Sequence, residues 1–201
     1  FAIWDASRRR LFLARDHFGI KPLYYTVSGA TFAFASEIKA LVGDGGLRAE
    51  LDPAAFADYA TFQFTLGEKT LFKGVHKLLP GHHLTIELGA DPVIQKYWDV
   101  NFAVDTKHSE AEFQERLREL LHDSVRLQLR ADVPVGAHLS GGLDSTTVTA
   151  LAAATGARPF HTFSGGFKDG PEFDETRFAR LASQATGSVH HEVFPTAENF
   201  V

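Results

Sequence analysis

Beyond residue 108 the chain alternates in a way that leaves few folds open to it. Ser109-Glu-Ala-Glu112 has the form of a capping box, a hydroxyl followed three residues later by a carboxylate. Behind it Phe113, Leu117, Leu120, Leu121 and Val125 recur at helical spacing. A helix over 109–130 is then followed by a strand at about 133–139, a helix over 145–155 and a strand from Pro159 to Ser164. A helix over about 172–186 and a strand over 188–193 complete the series. Strands separated by helices of this length pair through crossovers, which predicts βαβ units on a parallel sheet.

Earlier residues follow a different pattern. Phe1–Asp5, Leu11–Arg15, Leu23–Val27 and Thr31–Ala35 are short, aromatic and β-branched, with turn signals at Ser7, Gly19, Pro22, Ser28 and Gly29. Antiparallel strands joined by hairpins are expected. Ser36–Val42 reads as a short helix stopped by Gly43, and Pro53–Phe62 as another, with Asp52 as N-cap and Pro53 in the first turn. A loop at Gly67–Thr70 precedes Pro80-Gly81 and a strand over His82–Leu88, and Thr106–His108 reads as a linker. Two domains are therefore expected: α+β over 1–105, then α/β over 106–201.

With 201 residues, 44% of them hydrophobic, there is core-forming material for one large domain or two modest ones. The net charge is −5 and no basic run exceeds Arg8-Arg9-Arg10, so neither nucleic acid nor an acidic membrane surface is a favoured partner. The span holds no cysteine, hence no disulfide, thiolate metal site or cysteine nucleophile, which is compatible with a reducing, cytoplasmic setting. No apolar run approaches the roughly 18–20 residues that cross a bilayer, and no signal-peptide layout is visible. The lack of methionine, with strands close to both ends, suggests an internal piece of a longer protein that folds poorly alone.

The chemistry concentrates in Ser140-Gly-Gly-Leu-Asp-Ser145, where a predicted strand feeds a predicted helix. In an open parallel sheet ligands sit beyond the carboxyl ends of the strands, at such a loop. Gly141 and Gly142 permit positive φ and a close approach of backbone N–H groups to an anion. Those N–H groups and the positive end of the helix suit phosphate, and the Ser140 and Ser145 hydroxyls can donate to the same oxygens. A bare Asp144 carboxylate would repel phosphate unless a divalent cation, Mg²⁺ by its chemistry, bridges the two. The spacing is not that of a Walker A loop, since no lysine follows the glycines. The plainer alternative is a tight strand-to-helix turn with Asp144 as a helix-start residue.

The string resembles the pyrophosphate loop of ATP pyrophosphatases, which split ATP into AMP and pyrophosphate. Leu13–Tyr25, Phe34–Leu41, Gly67–His82, Asp132–Ser145, Phe163–Phe167, Phe173–Glu175 and Val189–Glu192 together resemble, in collinear order, the glutamine-hydrolysing asparagine synthetases. The resemblance implies the end of an N-terminal-nucleophile glutaminase β-sandwich, then the start of an ATP-pyrophosphatase domain of the adenine nucleotide alpha hydrolase type. It also implies a reaction: aspartate attacks the α-phosphorus of Mg-ATP to give β-aspartyl-AMP and pyrophosphate, and ammonia from glutamine displaces AMP. ATP, Mg²⁺, aspartate and glutamine are the implied cofactors and partners, and a homodimer is an open possibility. Ser140, Gly141, Gly142, Leu143, Asp144 and Ser145 would hold pyrophosphate and its metal, with Asp144 on the cation. The backbones of His138 and Gly165 would line the adenosine side. At both positions the family prefers an aliphatic residue, so apolar packing on adenine would be weaker at Gly165. The cysteine nucleophile and glutamine-binding residues would precede Phe1, and an acidic loop and catalytic lysine would follow Val201. Two rivals stay open: a β-lactam synthetase or related adenylating ligase, and a nucleotide-binding regulator without the chemistry.

Other residues carry two readings each. Arg15 and Asp16 form either a structural ion pair shaping a turn or part of an interface between active sites. Asp5 with Arg8–Arg10 reads as a solvated hairpin tip. His82-His83 and His190-His191 point to opposite faces of their strands, so neither pair chelates one ion directly. Asp174 and Glu175 either cap a helix or lie near substrate. Phe56, Tyr59, Phe62 and Phe64 read as core or domain interface.

Overall fold

A computed structural model describes residues 1–43, 48–156, 159–167, 174 and 176–200. The chain divides into two compact units, Phe1–Ala103 and Val104–Val201.

The first unit holds β1 (Ala2–Asp5), β2 (Arg10–Ala14), β3 (Tyr24–Ser28), β4 (Thr31–Ala35), α1 (Ile38–Gly43), α2 (Pro53–Phe62), β5 (Val75–Lys77), β6 (His82–Glu87) and β7 (Val93–Lys96). They form two antiparallel sheets, ordered β1-β2-β6-β7 and β4-β3-β5. The hairpins β1–β2 and β3–β4 lie in different sheets, and the core joins them. Leu13 and Leu84 from one sheet meet Tyr25 from the other and Leu78, with Leu11, Leu23, Phe32 and Ile86 packed around. Strands β5 and β7 are not foreseen in the sequence. Both are short sheet edges, and β7 is exposed throughout, so neither carries a period of its own. Helix α2 starts as expected: the Asp52 carboxylate accepts the N–H groups of Ala54 and Ala55 at 2.9 and 3.1 Å, and Pro53 follows. Of the two readings for its aromatic residues and the nearby Phe64, core does not hold: Phe56, Tyr59, Phe62 and Phe64 are all exposed, and the Phe62 and Phe64 rings lie 6.2 Å apart.

The Arg15–Asp16 turn is shaped without the anticipated ion pair. Asp16 Oδ1 accepts the N–H groups of Phe18 and Ile20, and Oδ2 that of Lys21, at 2.9–3.2 Å. The Arg15 guanidinium donates to the carbonyls of Gly19, Lys21 and Leu78 at 2.6–3.0 Å. Opposite charges side by side in sequence thus serve opposite poles of the backbone, because each charged group gains more from several fixed partners than from one neighbour.

The second unit holds α3 (Glu110–Gln128), β8 (Gly136–His138), α4 (Leu143–Ala154), β9 (His161–Gly165), α5 (Thr176–Thr186) and β10 (Val189–Val193), with the strands in a parallel sheet ordered β10-β9-β8. The capping box forms: Ser109 Oγ accepts the Glu112 N–H at 3.4 Å and Glu112 Oε2 accepts the Ser109 N–H at 2.7 Å. Strand β8 is shorter than expected, since Val133–Val135 pair with none of the described residues and Pro134 has no N–H to offer a ladder. For the last helix, residues 172, 173 and 175 lie outside the described residues. Asp174 caps its described start, accepting the Thr176 N–H at 2.9 Å.

The small core of this unit joins Val125, Ala152 and Phe160, bordered by Leu129, Ala137 and Leu151. Of the apolar stripe on α3, Val125 is buried and Leu121 half-buried, while Phe113, Leu117 and Leu120 are exposed. On the sheet, Thr162 and Ser164 are buried, whereas Phe163, Val189 and Val193 are exposed. Parallel sheets are ordinarily covered on both faces, so one face here is bare among the described residues. Inside α4 the buried Thr149 hydroxyl finds no partner among the described residues.

Two outcomes follow. An unpaired buried hydroxyl costs about 1–3 kcal/mol, so Thr149→Val is expected to raise the urea midpoint; a lower midpoint would contradict the unpaired state. Asp16 is held below the ordinary carboxylate range by the backbone N–H groups of Lys21 and Ile20. Its contribution is complete above the unfolded value of about 4 and is lost as pH falls through the depressed folded value. Trp98, 5.1 Å from the Phe18 ring of this turn, should therefore change its emission in acid in a Trp4→Phe background. An equal acid change in Asp16→Asn would refute the assignment.

Candidate functional site

Strand β8 delivers the chain to Leu139, which is buried at 1% exposure. Both its backbone groups are held by β9: its N–H donates to the Phe163 carbonyl at 2.8 Å, and its carbonyl accepts the Ser164 hydroxyl. From this fixed point Ser140–Gly142 turn into α4. Gly141 has φ +82°, and a Cβ there would lie 2.4 Å from Phe178 Cβ and 2.5–2.6 Å from backbone atoms of Phe178 and Ala179. Backbone conformation and the approach of α5 both demand glycine. Gly142 differs from expectation. Its φ is −68°, which any residue adopts, and it is the N-cap of α4.

A small hydroxyl network closes the loop. Ser145 Oγ accepts the Ser140 N–H at 3.3 Å, lies 3.0 Å from Ser140 Oγ and donates to the Gly142 carbonyl at 3.3 Å. Ser140 Oγ accepts the Gly142 N–H at 3.3 Å. The first helical bond runs from the Thr146 N–H to the Gly142 carbonyl at 3.0 Å, so the N–H groups of Leu143, Asp144 and Ser145 precede any intrahelical acceptor. No side chain caps them. Leu143 is 84% exposed, so what it offers the loop is backbone. Asp144 stands in the first turn rather than at the cap, exposed and bonded to none of the described residues. Uncapped N–H groups, positive helix end and uncommitted carboxylate together suit an anion that arrives with a cation.

His138 ends β8 and pairs with Phe163, and Gly165 ends the neighbouring β9. Both lie at the carboxyl edge of the parallel sheet, with the loop. A Cβ at Gly165 would meet no described atom within 4 Å, so an aliphatic side chain would find room there. Two contributors were not foreseen. Ser164 clasps Leu139, and at Gly166 a Cβ would lie 2.6 Å from Thr176 Cγ2. The run Ser164-Gly-Gly at a strand end is their only trace in the sequence.

For a metal, Asp144 offers one hard oxygen donor of the kind Mg²⁺ takes. No cluster of three or more His, Asp or Glu able to hold an ion occurs among the described residues, so further ligands would come from the anion. Within each histidine pair the rings take different partners: His82 Nδ1 lies 2.8 Å from the Pro80 carbonyl and His83 Nε2 3.1 Å from Gln95 Oε1, while His190 Nδ1 lies 2.9 Å from Thr162 Oγ1 and His191 Nε2 2.8 Å from His161 Nδ1. A cavity of about 490 Å³ bordered by Trp4, Leu11, Val27, Phe32 and Ile86 lies in the first unit and has no part in this loop.

Residues 1–98 match the glutamine amidotransferase domain family, and residues 116–201 the asparagine synthase family. The whole chain is 33% identical to asparagine synthetase [glutamine-hydrolyzing] 3 of Bacillus subtilis, covering 35% of that protein. It is 39% identical over its full length to a putative glutamine-hydrolyzing asparagine synthetase of Mycobacterium bovis, covering 31% of it. The chain belongs to the glutamine-hydrolysing asparagine synthetase family. A further relative, amidase chyE of Penicillium rubens, is 38% identical over 76% of this chain and 23% of its own length. The chain thus spans about a third or less of the length of these relatives. Within the family assignment, the candidate loop falls in the asparagine synthase match and the Arg15–Asp16 turn in the amidotransferase match. Among the described residues no helix is long and apolar enough to cross a membrane.

An alanine at a left-handed position costs about 1–2 kcal/mol before any clash. Gly141→Ala is therefore expected to lower the urea midpoint well beyond Gly142→Ala, which costs under about 1 kcal/mol at an N-cap. Equal effects would mean that the loop is not pinned at Gly141.

Proposed function

We propose that the protein carrying this chain makes asparagine from aspartate, glutamine and ATP, with residues 106–201 beginning its ATP-pyrophosphatase domain and 1–105 ending its glutaminase domain. The glutaminase domain would be of the N-terminal-nucleophile type, and the setting cytoplasmic. The observation that carries the reading is the pairing of an uncapped helix start with the free Asp144 carboxylate, at a glycine bend that leaves a parallel strand. In this reading the N–H groups of Leu143, Asp144 and Ser145 and the hydroxyls of Ser140 and Ser145 bind the β- and γ-phosphates. They hold the leaving pyrophosphate as the aspartate carboxylate attacks the α-phosphorus, giving β-aspartyl-AMP. The backbones of His138 and Gly165 lie along the adenosine. Asp144 holds Mg²⁺, which when bound neutralises charge on the triphosphate. Ammonia from glutamine then displaces AMP.

A second reading keeps adenylation and changes the acceptor carboxylate. It is favoured by 38% and 35% identity to two fungal proteins named amidases. ATP–pyrophosphate exchange by the full-length protein decides between them: exchange dependent on aspartate supports the first, and exchange dependent only on another carboxylate the second. Asp144→Ala is expected to reduce exchange at least about a hundredfold, the scale of a lost phosphate-site charge contact, while glutamine hydrolysis stays measurable. Exchange retained in that variant would remove Asp144 from the mechanism.

A further inference from the structure

The helix-covered face of the parallel sheet carries a polar chain where apolar residues would ordinarily pack. Thr162 and Ser164 are buried on β9, and the His190 side chain, 11% exposed, stands beside them on β10. His190 Nδ1 lies 2.9 Å from Thr162 Oγ1, and Nε2 lies 3.3 Å from Ser164 Oγ. Glu192 Oε1 lies 3.6 Å from Nε2, and Arg180 on α5 holds that carboxylate with two bonds of 2.7 and 2.8 Å. The imidazole is therefore engaged at both nitrogens.

Proton direction follows from counting. A hydroxyl has one proton to give, and that of Ser164 goes to the Leu139 carbonyl. Toward His190 it can only accept, so Nε2 is the donor. The far end of the same peptide unit is the Ser140 N–H, which donates to Ser145 Oγ at 3.3 Å. Because the peptide is planar, fixing the Leu139 carbonyl also fixes the direction of the Ser140 N–H.

We propose that His190 is a positioning residue for nucleotide binding: through Ser164 it sets the Leu139–Ser140 peptide plane, and through that plane the Ser145 hydroxyl. The inference rests on the reading of this loop as the pyrophosphate cradle. Among the described residues His190 makes no hydrogen bond to the loop; Ser164 and one rigid peptide connect them. Without the Nε2 donor, Ser164 is free to turn its proton elsewhere, and the cradle loses one defined hydroxyl.

Three variants of the full-length protein test this: His190→Leu, which keeps bulk and removes both ring contacts; His190→Gln, whose amide restores a donor; and Ser164→Ala, which removes the link with little change in volume. In ATP–pyrophosphate exchange, His190→Leu and Ser164→Ala should raise the KM for ATP about tenfold, the scale of one buried hydrogen bond. Turnover and glutamine hydrolysis should change little, and His190→Gln should recover most of the loss. A wild-type KM in both His190→Leu and Ser164→Ala overturns the proposal. So does a loss in His190→Leu that glutamine fails to restore, because that marks packing alone. Crystal structures of the same variants give a readout that needs no nucleotide. The Leu139–Ser140 peptide should rotate in His190→Leu and keep its plane in His190→Gln. An unmoved peptide in His190→Leu refutes the relay, whereas a rotated peptide in a protein inert toward ATP upholds it and refutes the pyrophosphate reading instead.

Discussion

The double hold on Leu139 is the constraint from which the candidate site is built. A buried apolar side chain fixes the residue in place, and β9 engages both its N–H and its carbonyl. Everything from Ser140 to Ser145 is positioned relative to that residue. Gly141 then bends the chain against α5, where its missing Cβ admits the backbone of Phe178 and Ala179. The loop is thus held from two sides, by the neighbouring strand and by the next helix, while its outward N–H groups stay unmatched. Rigidity of this kind matters for an anion site, since preset donors need no rearrangement when charge arrives.

Each unit gives the polar groups that shape its backbone several fixed partners. In the first, Arg15 and Asp16 serve the carbonyls and N–H groups of one turn rather than one another. In the second, Thr162, Ser164 and His190 form a connected set under the helices. The exposed pairs on α3, such as Arg116–Glu119 and Arg118–Glu115, are of a different kind. Solvent-screened pairs of this sort contribute about 0–1 kcal/mol. Unlike these pairs, the two networks bind backbone groups or connect buried side chains, and so specify where a segment lies.

Much of the fold is readable from residue order because the deciding interactions are local. The capping box at Ser109 and Glu112, Asp52 ahead of Pro53, and the β1–β2 and β3–β4 hairpins each depend on neighbours a few residues apart. What escapes is decided at a distance. Strands β5 and β7 exist because β3 and β6 offer them an edge. Most of the α3 stripe recurs at helical spacing yet is exposed, since periodicity names a face and not what covers it. In the loop the residue types point to phosphate chemistry. The separate roles of Gly141 and Gly142 and the part played by Ser164 arise from contacts across 25 or more residues, which no local string encodes.

Asp144 stands apart when set beside the other aspartates that begin turns or helices. Asp5, Asp16, Asp52 and Asp174 each commit carboxylate oxygens to nearby N–H groups, the ordinary use of a short acidic side chain. Asp144 occupies a comparable place and makes no such bond among the described residues, although uncapped N–H groups lie in its own helical turn. If helix stabilisation were its purpose, a serine or aspartate at position 142 would serve better than Gly142, which has no side chain to offer. A glycine at the cap with a free carboxylate two residues on leaves the N–H groups available to an outside anion. It also places a negative charge where that anion's counter-cation would lie. Under the proposed function, this arrangement forgoes local stability and leaves both the N–H groups and the carboxylate for a metal-bound polyphosphate.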